Sequence, residues 1–305
     1  MYPAVSRLTP AIGAEVRGID LSTATATEAA EIRRLLSDHH VLFFPDQRLD
    51  PEAHVRFGRL FGPLEGHPNL TNRLAASGMA LPAEVFELAA SRGGIADEWH
   101  TDLTFLARPS VLSILNMVHC PEVGGDTCWS NLHAVFEALS EPLQELCSGL
   151  TALHDALPHN RPEQTTIHPI VRIHPDTGRP ALYVNEHFTR RIVELSAGES
   201  EALLGYLVNL VKEPRFTVRY RWSEGTVAMW DNRCTQHFVV NDFDGERIIQ
   251  RVTVMGDEPV GEPPRWPPWP RATARRRAAT SQADRQLRLH LDQLERLEPR
   301  TDPRS

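Results

Sequence analysis

The 305-residue sequence has little cysteine, no long apolar run and no excess of basic residues. Its four cysteines form no C-x-x-C pair, which argues against a zinc knuckle or a disulfide framework and predicts reduced thiols. No window approaches the roughly 18 apolar residues of a membrane helix, and the N-terminus lacks the apolar core of a signal peptide. The formal net charge is −8, so wholesale nucleic-acid binding is not expected. These absences predict a cytoplasmic protein without membrane or nucleic-acid partners.

The residues that are present predict a mainly β protein with helices packed outside. Thr25 and Glu28 fit a capping box at the start of a helix. From about position 80 most segments are short and strand-like, and two predicted helices interrupt them, roughly at 133–147 and within 196–213. Many short strands with turn signals favour a sandwich or barrel over alternating strands and helices. We therefore expect one domain over residues 1–258.

The C-terminal part, residues 259–305, differs in composition and begins with a stretch rich in Pro and Arg. This composition is typical of an extended arm. A short amphipathic helix is predicted after it, with four leucines on one face: Leu287, Leu291, Leu294 and Leu297. The arm is expected to pack on its own domain or on a neighbouring subunit, which favours a homo-oligomer.

A pair of potential metal ligands, His100 and Asp102, lies in the stretch EWHTDLTF. In an extended segment, residues two apart project to the same face, so the two side chains converge while Thr101 turns away. An imidazole and a carboxylate need one more histidine to complete the 2-His-1-carboxylate triad of non-heme Fe(II) oxygenases. Among 14 histidines, His237 in the stretch WDNRCTQHFVVND is the best candidate.

Two arginines, Arg247 and Arg251, fall on one face of an otherwise apolar predicted strand. Buried guanidinium groups need partners, and arginine recognises carboxylate-like anions through two parallel hydrogen bonds. This pattern predicts one or two anion sites next to the metal if the strand lies beside His237. The alternative is an exposed edge strand with a solvated charged face.

These segments together resemble the taurine dioxygenase family of Fe(II)/2-oxoglutarate-dependent oxygenases, which includes alkylsulfatases and 2,4-dichlorophenoxyacetate dioxygenases. The resemblance runs over some 250 residues. It rests on the stretches IGAEVRGIDL, VLFFPDQ, WHTDLTF, GGDTCW and WDNRCTQH and on the R-x-x-x-R spacing. It implies a double-stranded β-helix, or jelly roll, with helices bracing one sheet.

The resemblance also implies roles for residues around the metal. His100, Asp102 and His237 would bind Fe(II). Thr127 and Arg247 would hold the distal carboxylate of 2-oxoglutarate, the cosubstrate that is used together with O₂. In this group oxidative decarboxylation of 2-oxoglutarate gives succinate and CO₂ while a substrate carbon is hydroxylated.

The substrate pocket is where the resemblance is least complete. It implies that Arg251 and His67 face the anionic group of the substrate and that Phe188 forms an apolar wall. Leu70 stands where taurine-specific members have a tyrosine, and Ala96 stands where they have an asparagine. These changes remove polar groups near the substrate amine and leave room for a larger or more apolar anion.

The expected reaction is hydroxylation of the carbon next to a sulfonate, with taurine or a related alkanesulfonate as substrate and with sulfite and an aldehyde as products. An alkyl sulfate ester, which would release sulfate, is the alternative, and an aryloxyalkanoate is a further one. Two other classes stay open: a zinc hydrolase with the same ligands, and a non-catalytic binding protein on the same scaffold.

Overall fold

The computed structural model of the protein describes residues 3–66, 75, 78, 80–92, 96–269, 286–287 and 289–291. Its helices are α1 (Ala26–His39), α2 (Pro51–Arg59), α3 (Leu132–Glu137), α4 (Glu141–Ser148) and α5 (Ala197–Val211). The first eight strands are β1 (Ala4–Arg7), β2 (Ala14–Arg17), β3 (Val41–Phe44), β4 (Leu64–Glu65), β5 (Phe86–Ala89), β6 (Leu112–His119), β7 (Thr127–Asn131) and β8 (Thr151–Ala156). The others are β9 (Arg161–Pro169), β10 (Val171–Ile173), β11 (Pro180–Leu182), β12 (Thr189–Ile192), β13 (Thr217–Tyr220), β14 (Val227–Asp231), β15 (Thr235–Val239) and β16 (Ile248–Val254). Within these ranges, no helix combines the length and apolarity needed to span a bilayer.

The helix predictions are confirmed at α1 and wrong in one place. The capping box forms, because Thr25 N–H donates to the Glu28 carboxylate at 2.8 Å while the Thr25 hydroxyl accepts from Glu28 N–H. The single helix predicted at roughly 133–147 is two helices, α3 and α4. Pro142 has no N–H to donate and its ring would clash inside a continuous helix, so the chain breaks and restarts with Ser140 as N-cap.

The largest sheet has the strand order β1-β2-β3-β14-β6-β16-β4, and β5 also pairs with β16. Strand β3, and β14 up to Trp230, are apolar on both faces, because helices cover one face of the sheet and a second layer of strands covers the other. In β14, Val227 and Met229 pack in the cluster beneath α1 and α2, whereas Ala228 and Trp230 point to the opposite side. The period of two along the strand assigns each residue to its layer.

The second layer contains the three-stranded sheet β13-β7-β15. An aromatic cluster fills the space between the layers, with Trp129 of β7 edge-on to Trp230 of β14 at 5.7 Å between ring centroids. In the pairing of β15 with β7, His237 lies opposite Trp129. These facing layers confirm the predicted jelly roll with external helices, and they place His237 on the strand that faces the large sheet.

The first part of the C-terminal arm packs on the domain that precedes it. Trp269 N–H donates to the Val193 carbonyl at 2.8 Å, and Leu287 is buried against Val193. Residues 286–287 and 289–291 are helical. Leu294 and Leu297 of the predicted apolar face lie outside the described residues.

Candidate metal centre and anion pocket

The segment that carries the H-x-D pair is joined to β15 through its backbone. His100 N–H donates to the His237 carbonyl at 3.0 Å, and His237 N–H donates to the His100 carbonyl at 2.9 Å. A reciprocal pair of this kind holds two residues directly opposite each other. Thr101 turns away as expected, and its hydroxyl donates to the Thr235 carbonyl at 2.7 Å. The pairing explains how ligands far apart in the chain meet at one point.

The structure brings the three predicted ligands together. His100, Asp102 and His237 each offer a ligand atom, and these atoms all lie within 4.8 Å of one another. The distance between His100 Nε2 and Asp102 Oδ1 is 3.8 Å, too long for a hydrogen bond. All three side chains are buried.

The donor set fits a divalent cation such as Fe(II). His100 donates from Nδ1 to the Glu98 carbonyl at 2.7 Å, so its Nε2 keeps the lone pair that a metal needs. His237 Nδ1 is buried and has no hydrogen-bond partner within the described part of the chain. Burial lowers the pKa of both imidazoles, which keeps them neutral and able to coordinate.

Asp102 is held as a carboxylate. Burial alone would raise its pKa, but nearby positive charge, above all the Arg251 guanidinium, outweighs burial and holds the pKa well below the ordinary value. Arg251 donates from Nη1 to Oδ1 at 2.6 Å, and the Ser113 hydroxyl donates to Oδ2 at 2.7 Å. Both oxygens therefore have a fixed direction.

A buried polar chain behind Asp102 was not predicted. Trp230 donates from Nε1 to Asn232 Oδ1 at 2.9 Å. Asn232 Nδ2 in turn donates to the hydroxyls of Ser113 at 2.9 Å and Ser110 at 3.2 Å. The sequence offered one signal for this chain of hydrogen bonds: Ser113 is a polar residue between two buried apolar residues of β6, Leu112 and Ile114. The chain fixes the hydroxyl that orients the Asp102 carboxylate.

Thr127 and Arg247, which were predicted to hold the distal carboxylate of 2-oxoglutarate, also lie next to each other. Arg247 donates from Nη2 to the Thr127 hydroxyl at 3.3 Å and from Nε to the Gly125 carbonyl at 3.1 Å. Arg247 is buried, and burial lowers its pKa to about 10. Within the described residues the hydrogen-bond partners of its guanidinium are neutral oxygens, so the guanidinium charge lacks an ion pair. A carboxylate would supply one.

The predicted anion pocket around Arg247 and Thr127 lies close to the three predicted metal ligands. Thr127 pairs with Val239, two positions beyond His237 on β15, which is a distance of about 7 Å along a strand. Before Thr127 the chain turns at Gly125, where φ is +69° and a Cβ would lie 3.3 Å from Arg247 Cδ. This turn brings the Gly125 backbone carbonyl within hydrogen-bonding distance of Arg247.

Arg251 has hydrogen-bonding capacity left after it pairs with Asp102. Its Nε is buried and has no hydrogen-bond partner among the residues that the structure describes. Its guanidinium lies over the Phe86 ring, 5.5 Å from the centroid. Because β16 is paired on both sides and Arg247 and Arg251 are both buried, the alternative of an exposed edge strand is wrong.

An apolar wall stands beside the metal ligands. The Phe188 ring is buried and its centroid is 6.4 Å from that of His100. Phe188 packs with Leu103, Phe105 and Ala156 in a small cluster separate from the main cores. The other two predicted substrate residues, His67 and Leu70, lie outside the described residues.

Comparison with known proteins shows which family the chain belongs to. A family model described as "Taurine catabolism dioxygenase TauD, TfdA family" matches residues 4–253. The chain belongs to this family. An alpha-ketoglutarate-dependent sulfate ester dioxygenase from Pseudomonas putida is 37% identical over 278 residues, which cover 82% of this chain and 88% of that protein. An alpha-ketoglutarate-dependent sulfonate dioxygenase from Saccharomyces cerevisiae is 33% identical over 282 residues, which cover 84% and 68%.

The fold agrees as well. A crystal structure of a taurine dioxygenase from Burkholderia xenovorans superposes with a TM-score of 0.76 at 38% sequence identity, and the match covers 87% of this chain and 94% of that one. The TauD, TfdA family member described here therefore shares its architecture with a solved relative along most of both chains.

Proposed function

We propose that this chain is an Fe(II)- and 2-oxoglutarate-dependent dioxygenase that hydroxylates the carbon next to the sulfonate of taurine or a related alkanesulfonate. The products would be sulfite and an aldehyde, with succinate and CO₂ from 2-oxoglutarate. The observation that carries the proposal is one buried group of residues: the His100, Asp102 and His237 triad with the guanidinium groups of Arg247 and Arg251 beside it.

The triad would hold the iron on one face and leave the other positions for 2-oxoglutarate and O₂. Bound there, the iron supplies the oxidising chemistry that hydroxylates the substrate carbon. Arg247 and Thr127 would hold the far carboxylate of 2-oxoglutarate, since a buried guanidinium without an ion pair gains most from an anion. The spacing of about 7 Å along the strand suits a dicarboxylate that reaches from the metal to Arg247.

Arg251 would bind the anionic sulfur group. Its Nη1 stays on Asp102, and its unpartnered Nε remains for a sulfonate oxygen. An anion held there places the adjacent carbon close to the metal ligand and therefore close to the iron. Hydroxylation of that carbon gives an unstable α-hydroxysulfonate, whose C–S bond breaks to release sulfite as the hydroxyl becomes the aldehyde carbonyl.

An alkyl sulfate ester is the second candidate substrate, and two observations favour it. One relative named above is a sulfate ester dioxygenase at 37% identity. In addition, the wall formed by Phe188, Leu103 and Phe105 is apolar, as a hydrocarbon chain requires. The sulfate group presents the same three terminal oxygens to Arg251, and hydroxylation of the ester carbon would release sulfate in place of sulfite.

The test is O₂ consumption by protein loaded with Fe(II) under anaerobic conditions and supplied with 2-oxoglutarate. The substrates would be taurine, longer alkanesulfonates, alkyl sulfates and aryloxyacetates, with sulfite, sulfate and succinate measured in parallel. Sulfite formed in equal amount to succinate supports the main proposal, and sulfate in its place supports the alternative. Zn(II)-supported turnover without 2-oxoglutarate would instead indicate a hydrolase.

We also propose that the protein is cytoplasmic, that its dioxygenase domain ends at residue 258 and that it forms a homo-oligomer. Trp266 and Trp269 in the arm are 42% and 45% exposed, and large apolar side chains at a surface favour a subunit contact. Light scattering after size-exclusion chromatography tests the assembly. A monomer at micromolar concentration would contradict it.

A further inference from the structure

A second group of potential metal ligands lies away from the iron triad. His40, His133 and Cys234 are all buried, and their ligand atoms lie within 4.8 Å of one another. They come from three separate elements: the end of α1, the first turn of α3 and the turn between β14 and β15. Cys234 is a free thiol, as expected for all four cysteines. Nothing in the proposed reaction uses these side chains.

The three side chains are oriented as ligands. Cys234 Sγ lies 3.6 Å from His40 Nδ1. In a tetrahedral zinc site, bonds of about 2.3 Å to sulfur and about 2.0 Å to nitrogen place these two atoms about 3.5 Å apart. His133 donates from Nδ1 to the Pro180 carbonyl at 2.6 Å, which leaves the Nε2 lone pair free and fixes the ring.

The charge state of the histidines also suits a metal. Burial lowers the pKa of His40 to about 3 and that of His133 to about 4, so both rings are neutral at physiological pH. Two neutral imidazoles and a thiolate form a ligand set that Zn(II) and similar soft or borderline cations accept. Burial raises the pKa of the Cys234 thiol, so the thiolate would form only as the cation displaces its proton. Metal binding would replace the Sγ–H bond with an Sγ–metal bond and release one proton to solvent.

His40 holds a backbone conformation that is unusual for its type. Its φ is +65°, in the left-handed region, at the C-cap of α1, where its N–H donates to the Leu36 carbonyl at 2.7 Å. Glycine is the usual residue at such a position, and other residues there are strained. Because this position is occupied by histidine and not by glycine, an imidazole lies next to Cys234. Ending the helix does not by itself require that side chain.

The neighbouring Asp231 carboxylate already binds two other side chains, those of Arg233 and His174. The Asp231 carboxylate accepts hydrogen bonds from Arg233 Nε at 2.9 Å and from Arg233 Nη2 at 2.7 Å, and it pairs with His174 Nε2 at 3.1 Å. The carboxylate and His174 therefore satisfy each other. Cys234 Sγ also lies within ligand reach of His174 and Asp231, but those two side chains are hydrogen-bonded to each other. Among the described residues, we therefore assign the cation to His40, His133 and Cys234.

We propose that His40, His133 and Cys234 form a second metal site, which takes a thiophilic divalent cation such as Zn(II). The site joins α1 and α3 to the turn that leads into β15. Cys234 is three residues before His237, so a cation here would brace the strand that carries the third iron ligand. The role is structural, and it does not depend on the proposed reaction.

Cobalt distinguishes the two sites, because only the second one contains sulfur. Protein produced in cobalt-supplemented medium should show a sulfur-to-cobalt charge-transfer band in the near ultraviolet. Its cobalt content should be about two ions per chain, one for each site. Cys234→Ser should abolish the band and lower the content to about one ion per chain. His133→Asn should weaken cobalt retention roughly tenfold or more during dialysis against a chelator.

Two matched variants serve as controls. Cys147→Ser removes a buried thiol in α4, and His39→Asn removes the histidine next to His40, and neither belongs to the cluster. Both should keep the band. Wild-type protein that contains no more than one cobalt per chain and shows no charge-transfer band overturns the proposal. A band that survives Cys234→Ser also overturns it. Because the wild-type result decides by itself, the conclusion stands even if one variant fails to fold.

Discussion

Arg251 donates from Nη1 to Asp102 Oδ1 at 2.6 Å, so the residue proposed to receive the substrate anion is bonded to a proposed metal ligand. The contact joins substrate recognition to the geometry of the iron site. An anion that draws on the remaining N–H groups of Arg251 also affects how tightly that guanidinium holds the carboxylate. Binding of substrate and metal should therefore influence each other.

Exchange of the two arginines for glutamine should separate their roles. We expect Arg251→Gln to raise the KM for the organosulfur substrate roughly 100-fold while the KM for 2-oxoglutarate changes much less, because a charged hydrogen-bond partner is worth a few kcal/mol. Arg247→Gln is the matched control and should show the opposite pattern. Steady-state kinetics with each substrate varied in turn checks this. The assignment fails if both variants affect the same KM.

Ser113→Ala should weaken metal binding although Ser113 is not itself a proposed metal ligand. The Asp102 carboxylate loses the hydroxyl that donates at 2.7 Å, and loss of such an orienting hydrogen bond typically costs about tenfold in metal affinity. The measurement is Mn(II) affinity by titration calorimetry. Ser110→Ala is the control, since Ser110 accepts from the same Asn232 amide but donates no hydrogen bond to Asp102. Equal effects of the two variants would contradict the orienting role.

His54 should make the protein less stable as the medium becomes acidic. Burial lowers its pKa from the ordinary 6.5 to about 4 in the folded state, while Nε2 donates to the Ile114 carbonyl. As the pH falls from 6.5 towards 4, the unfolded chain takes up a proton here that the folded chain does not. The free energy of unfolding therefore decreases over this window.

The variant that checks this is His54→Gln, whose amide can still donate to the carbonyl but does not titrate. Urea unfolding at pH 7 and pH 5 should show a smaller loss of stability in the variant than in the wild type. An unchanged slope in His54→Gln would show that other groups carry the effect.

Phe188→Ala should shift the substrate preference by chain length. The ring is buried in the apolar cluster beside His100, so its removal takes packing area from a hydrocarbon chain but not from a short substrate. We expect kcat/KM for a long-chain alkanesulfonate or alkyl sulfate to fall roughly tenfold more than that for taurine. Comparison within one variant controls for damage to the iron site. An equal loss for all chain lengths would argue against contact with the chain.

The residues proposed to bind the metal and the anions could be selected from the sequence because much of their signal is local. The H-x-D spacing puts two ligands on one face, and the R-x-x-x-R spacing places Arg247 and Arg251 on one side of a strand. Their partners were harder to find. Ser113 is one serine among many until β6 is seen to pair with β14, which brings Asn232 behind it.

The cluster of His40, His133 and Cys234 had no signal of this kind. Its members are spread over three elements, and only the packing of α1 and α3 against the β14–β15 turn brings them together. The helix predicted at roughly 133–147 was wrong for a different reason, because the local signal of the break, Pro142 shortly after Ser140, was outweighed by the apolar spacing. Apolar spacing continues across the break, whereas the proline that interrupts the helix acts through a single missing N–H and a steric clash.

The reciprocal pairing of His100 with His237 also bears on how the protein is made. The neighbouring contact joins Thr101 to Thr235, which are 134 residues apart in sequence. Contacts between such distant residues form late and slow the folding of a chain. During synthesis the first two proposed iron ligands, His100 and Asp102, leave the ribosome well before the strand that carries His237. Capture of iron should therefore wait until most of the polypeptide has been translated, and a chain truncated before β15 would have no complete site to offer it.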